Sequence, residues 1–203
     1  MSRRATAIRL DVSVPDQLHA QDWDFPDSES GRGIHSLHPY PANFISDIPL
    51  QLAQILGTLP GTAILDPFCG AGTTLVVAQD LGIPSIGIDL NPIACLISRV
   101  KTSPLPRGLM RVGFDVAQGA RDGDATAPPI PNVDHWFSAE AKQAIAGLVQ
   151  QIGKIEDALL ADHLRLALSS IIVRVSNQDS DTRYAAVERE ISVRAVRDQF
   201  LAA

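Results

Sequence analysis

Nothing limits this chain's fold more than the segment from Asp66 to Thr74, Asp-Pro-Phe-Cys-Gly-Ala-Gly-Thr-Thr. A short apolar run, Thr62–Leu65, leads into it. Thr73–Leu81 leads out of it, with Leu75, Val76, Ala78 and Leu81 on a helical repeat that Gly82 closes. The pattern is strand, glycine turn, helix. It is then repeated. Ser85–Ile88 is a second apolar strand ending at Asp89, and Asn91 is placed to cap a helix with Pro92 at its first position. That helix carries Ile93, Ala94, Leu96, Ile97 and Val100. Strands alternating with helices of this length predict an α/β chain with a parallel, doubly wound sheet.

Gly70 and Gly72 permit a tight turn and a close approach of backbone to ligand. The following helix aims its free N–H groups and positive dipole end at the same place. In open α/β sheets that place, the carboxyl end of the strands, is where ligands lie. Three nucleotide-type ligands compete for it. A phosphate-binding loop needs GxxxxGK[ST], and no Lys follows these glycines. A dinucleotide turn needs GxGxxG, and its third position here is Leu75. The third ligand is S-adenosylmethionine (SAM), with a cationic sulfonium and amine, an anionic carboxylate and a ribose diol. An acid ending the first strand suits the cationic end, and an acid ending the second suits the ribose. Asp66 and Asp89 hold those positions, separated by about the 20 residues usual for a second-strand ribose acid.

With the motifs in view, the chain resembles bacterial DNA amino-methyltransferases, which make N6-methyladenine or N4-methylcytosine. DPFCGAGTT is similar to their first SAM motif and GIDLNP to their second. HPYPANF, upstream, resembles a segment of one subgroup usually written HPYPAKF, with Asn43 in place of the Lys. The likeness covers roughly residues 34–102. It implies a Rossmann-like class I SAM-dependent methyltransferase core, with a helical insertion or C-terminal helical region. It also implies that Asp66, Phe68, Gly70, Gly72 and Thr73 surround the methionine part, that Asp89 binds ribose and that Leu90 flanks adenine. Tyr40, Pro41 and Phe44 would cover the cofactor. Pro67, Thr74 and Asn91, inside the same motifs, are counted with the cofactor-binding residues.

Plainer roles compete at each position. Gly70 and Gly72 also serve a simple strand-to-helix turn, Asp89 a helix cap, and Tyr40 and Phe44 ordinary packing. His35 and His38 have no acid or cysteine at ligand spacing, so no metal site is expected. Cys69 has no basic activator nearby and reads as a small turn residue.

The family also requires a catalytic [Asp/Asn/Ser]-Pro-Pro-[Tyr/Phe/Trp] motif, which receives the flipped base. Ala127-Pro128-Pro129-Ile130 lacks both its polar and its aromatic member, so no catalytic residue is identified. The expectation is a SAM-binding half whose catalytic motif comes from a second chain or a downstream segment, the present chain being a split subunit, a truncated product or a fragment. DNA is the expected partner. An RNA base methyltransferase and a non-catalytic SAM-binding protein are the alternatives.

The remaining expectations are coarser. Residues 1–33 read as an irregular arm, 34–125 as the partial SAM-binding core and 134–203 as a helical region that includes a target-recognition role. Ser46 or Asp47 is expected to cap a helix carrying Ile48, Leu52, Ile55 and Leu56. Residues 103–133, rich in Pro and Gly, read as a connecting loop. Ser138 is expected to open two antiparallel helices, with Trp136-Phe137 as a hydrophobic staple before them. Tyr184, Val187 and Ile191 suggest a final helix. Arg99, Lys101, Arg107 and Arg111 form an acid-free stretch, read either as a solvated loop or as a phosphate contact. The formal net charge of −6 argues against an indiscriminate polyanion binder. Two cysteines without CxxC spacing, no signal-like apolar region and no membrane-length apolar run point to a cytoplasmic protein.

Overall fold

The computed structural model describes residues 14–26, 28, 33–41, 45–57, 61–120, 125–180 and 183–203. The chain divides into two compact units, Met1–Thr102 and Ser103–Ala203. This boundary lies earlier than the one expected between residues 125 and 134.

The first unit is α/β. It comprises α1 (Val14–Ala20), a 3-10 turn at Gly33–Ser36, α2 (Asp47–Leu56), β1 (Ile64–Asp66), α3 (Thr73–Asp80), β2 (Ser85–Gly87) and α4 (Pro92–Lys101). β1 and β2 are parallel neighbours, with Ile64 opposite Ser85 and Asp66 opposite Gly87. α1 packs on α2, α2 on α3, and α3 on both strands and on α4. Leu75, Val76, Val77, Ala94, Ile97 and Val100 are buried where these helices meet. The helix caps follow the sequence closely. Asn91 Oδ1 accepts the Ile93 N–H at 3.0 Å while Pro92 fills the first turn, where its missing N–H has no acceptor to lose. Ser46 sits at the start of α2 without a side-chain cap bond.

The second unit is helical: α5 (Leu109–Gly119), α6 (Val133–Trp136), α7 (Ala139–Ile152) and α8 (Ala158–Ile171), then an antiparallel pair β3 (Gln178–Ser180) and β4 (Arg183–Ala186), then α9 (Val193–Ala202). α5, α7, α8 and α9 close around one apolar core that includes Val116, Leu148, Ile152, Leu164, Ile171 and Phe200. Three oxygens hold the helix starts. Ser138 Oγ accepts from Ala141 N–H, Asp157 Oδ1 from Leu159 and Leu160 N–H, and Ser192 Oγ from Ala195 N–H.

Several expectations are corrected here. The arm at 1–33 contains a helix, α1. The loop at 103–133 contains α5, because Leu109, Val112, Gly113 and Val116 lie on one helical face between flanking turns. Residues around Tyr184 pair as a strand, and the last helix starts only after the Ser192 cap. Phe137 packs against the core of the helical unit. A staple would bring it to the fourth helical position, which is the charged Lys142. No helix among the described residues is long and apolar enough to cross a membrane.

Candidate functional site

The parallel register brings Asp66 and Asp89 to the same end of β1 and β2. Hydrogen bonding continues beyond the strands. Ile88 N–H donates to the Asp66 carbonyl at 2.9 Å, and Cys69 N–H donates to the Ile88 carbonyl at 3.0 Å. The turn after Asp66 is thereby stitched to the end of β2. Gly70 (φ 49°) and Gly72 (φ 79°) are left-handed, a region that costs a side chain of ordinary residues about 1–2 kcal/mol. Gly72 has a second reason to lack a side chain: a Cβ there would lie 2.8 Å from Ser98 Oγ.

The Gly70 peptide is held at both polar ends. Its N–H donates to Asp89 Oδ2 at 2.9 Å, and its carbonyl accepts from Ser98 Oγ at 2.8 Å. Asp89 Oδ1 accepts the Asn91 N–H at 2.8 Å. These amides, Asn91's first and then Gly70's, hold the Asp89 carboxyl below its ordinary range. Asp66 Oδ1 accepts the Phe68 N–H at 3.1 Å, which shapes the start of the turn. Burial raises the Cys69 thiol's pKa, so it does not supply a thiolate at neutral pH.

The HPYP segment meets this loop. A Cβ on Gly70 would be 3.6 Å from Tyr40 Cε1, and Asn91 Nδ2 approaches the Tyr40 hydroxyl at 3.5 Å. The segment is anchored behind the tyrosine. His38 Nδ1–H donates to the Pro39 carbonyl at 2.7 Å, and Lys101, buried at the end of α4, reaches the His35 carbonyl at 3.5 Å. Burial lowers the pKa of Lys101. Burial, and then the Lys101 charge, lower that of His35.

Tyr40, Gly70, Gly72, Asp89 and Asn91 are therefore brought together, with Asp66 across the turn. Phe68 and Leu90 lie at the strand ends with 86 % and 100 % of their surface exposed. Pro41 and Pro67 are exposed, Thr73 is buried in the first turn of α3, and Thr74 borders α2 rather than Asp89. Phe44 lies outside the described residues. Sequence reasoning missed Ser98. Its signal was a hydroxyl within the otherwise apolar stripe Ala94, Ile97 and Lys101 of α4, at a position too buried for a solvent-facing serine.

Residues 4–99 match the family model described as DNA methylase. The amino-terminal half of the chain belongs to the DNA methylase family. Within that family, the Type II methyltransferase M.MjaII of Methanocaldococcus jannaschii is 40 % identical over 85 residues, which is 39 % of this chain and 16 % of the relative. M.MvaI of Kocuria varians is 26 % identical over 184 residues, 82 % of this chain and 40 % of the relative. M.BsoBI of Geobacillus stearothermophilus is 42 % identical over 67 residues, 33 % of this chain and 13 % of the relative. The chain thus spans well under half the length of these DNA methylases. No solved structure matches it.

Proposed function

We propose that this chain is the SAM-binding portion of a SAM-dependent DNA methyltransferase acting on the exocyclic amine of adenine or cytosine, built on a Rossmann-like class I core. The observation that carries the reading is the pair Asp66 and Asp89. They end adjacent parallel strands on either side of a left-handed glycine loop, within the same residues that match the DNA methylase family. The names of the relatives favour DNA over RNA as the substrate.

When bound, SAM supplies an electrophilic methyl group. The chain's own residues bind and orient it. Asp66 gives the cationic methionine end a carboxylate beside the turn. Each Asp89 oxygen already takes one amide, and a carboxylate oxygen has a second lone pair, which suits a ribose hydroxyl. Phe68 and Leu90 provide exposed apolar surface for the adenine and the methionine chain, and Tyr40 provides a cover over Gly70. Pro41, Phe44, Pro67, Gly72, Thr73, Thr74 and Asn91 complete the proposed set. A side chain at Gly72 would push Ser98 and open the loop, which fits a backbone that must come close to its ligand. The groups that hold the target amine belong to the part of the methyltransferase outside these residues.

Calorimetric titration of the chain with SAM tests this. Saturable one-site binding is expected, weakened by Asp89→Ala. A flat titration would remove the SAM assignment, and an unchanged affinity in the variant would remove Asp89 from it.

A further inference from the structure

The sheet of the first unit is bare on one face and on one edge. Successive strand residues point to opposite faces, so Gly87 and Ile88 point to opposite sides. On the Gly87 side, a Cβ would meet Leu75 Cδ1 at 2.6 Å and Cys69 Sγ at 3.0 Å, so α3 and the loop cover that face. On the other side lie Leu65, Ile86 and Ile88, exposed at 59 %, 57 % and 55 %. Parallel sheets are stable with both faces covered.

The edge is equally specific. Ile64 N–H and Asp66 C=O are bonded toward β2. A strand residue turns its N–H and C=O to the same side, and the side alternates, so Leu65 turns both groups to the opposite edge. Among the described residues no backbone group meets them. Beside that edge runs a groove of about 530 Å³, formed by Ile48, Leu52 and Leu56 of α2 with Leu65 and Phe68. An unpaired donor and acceptor beside an apolar groove is the arrangement that accepts an added strand.

We propose that the free edge of β1 and this groove dock a β-strand of methyltransferase sequence lying outside these 203 residues, parallel to β1, and that the bare face takes the apolar helix attached to it. Three features favour this occupant. Relatives extend far beyond the region they share with this chain, the M.MvaI alignment covering 40 % of that protein. The existing pair is parallel, which calls for neighbours of the strand–helix kind. The groove also includes Asp66, so a parallel strand there ends at the candidate site. The docked strand would bring the rest of the active centre beside the SAM loop. This rests on the methyltransferase reading above.

The test is amide hydrogen exchange on the whole chain, alone and co-expressed with the portion of the Kocuria varians relative outside the shared alignment. In the free chain the Leu65 amide should exchange faster than the bonded Ile88 amide by about tenfold or more, and the two should converge in the complex. Leu65→Pro, which deletes the outward donor, should abolish capture. Leu65→Arg, which keeps the donor and charges the groove, should do the same and covers the case in which the proline variant does not fold. The proposal is overturned if the Leu65 amide is already as slow as Ile88 in the free chain, if no complex forms, or if a complex leaves Leu65 fast. It is also overturned if protection rises with the concentration of this chain alone, since the occupant is then a second copy. SAM titration of the same samples separates the two readings. Binding without strand capture sinks only this proposal, and capture without binding sinks the SAM assignment.

Discussion

The two units solve the problem of a stable interior differently. The helical unit closes on itself, its four main helices sharing one core in which Leu148 and Ile171 are fully buried. The α/β unit completes its polar scaffold first. Asp89, Ser98 and the strand ends fix every turn of the glycine loop, while Leu65, Ile86, Ile88, Phe68 and Leu90 stay in water. The contrast separates self-sufficient packing from a surface prepared for something else. Order in the first unit comes from directional bonds, and in the second from apolar area.

The sharpest way to break that comparison is a pair of truncations. Leu148→Ala in the helical core should lower unfolding free energy by about 2–5 kcal/mol, whereas Leu65→Ala should change it by less than about 0.5 kcal/mol. Urea melts followed by circular dichroism measure both, and equal costs would erase the distinction. A smaller effect is expected at Gly72→Ala, which forces a Cβ into a left-handed backbone against Ser98 at 2.8 Å. About 1–3 kcal/mol of stability should be lost, with weaker SAM binding. Ser98→Ala should cost about 1 kcal/mol by unpairing the Gly70 carbonyl. It should lower SAM affinity more than it lowers the melting temperature, and the reverse ordering would make Ser98 a packing residue only.

The smallest effect concerns acid. The folded pKa of Asp89 is depressed, so its contribution is complete above its ordinary value of 3.8 and is lost as pH falls through the lower folded value. Loop order, read from the Gly70 amide chemical shift, should therefore persist to more acidic pH than an ordinary aspartate would allow. Asp89→Asn should remove that acid-dependent step, and an identical acid profile in the variant would mean that another carboxyl controls the loop.

Much of the site was readable in one dimension because its parts are local. Asp66, the two glycines, and the Asn91–Pro92 and Ser138 helix starts each depend on neighbours a few residues away. The bonds that fix the loop join Gly70 to Asp89 and to Ser98, about 20 and 30 residues distant, and no periodicity encodes them. α5 was hidden for another reason. Its apolar residues have helical spacing, but the prolines and glycines around them dominate the composition. The segment around Tyr184 misled in the opposite sense, since three apolar residues at helical spacing are too few to outweigh strand pairing with Gln178–Ser180. The unmatched sheet edge was invisible from patterning, because a buried strand and a strand awaiting a neighbour have the same apolar letters.

The doubly gripped Gly70 peptide also bears on how association proceeds. Its orientation is set before any ligand arrives, so entry of the cofactor freezes little additional main-chain motion. The entropy lost on binding should then fall mainly on the cofactor and on the Tyr40 ring, leaving the glycine turn as stiff when vacant as when filled.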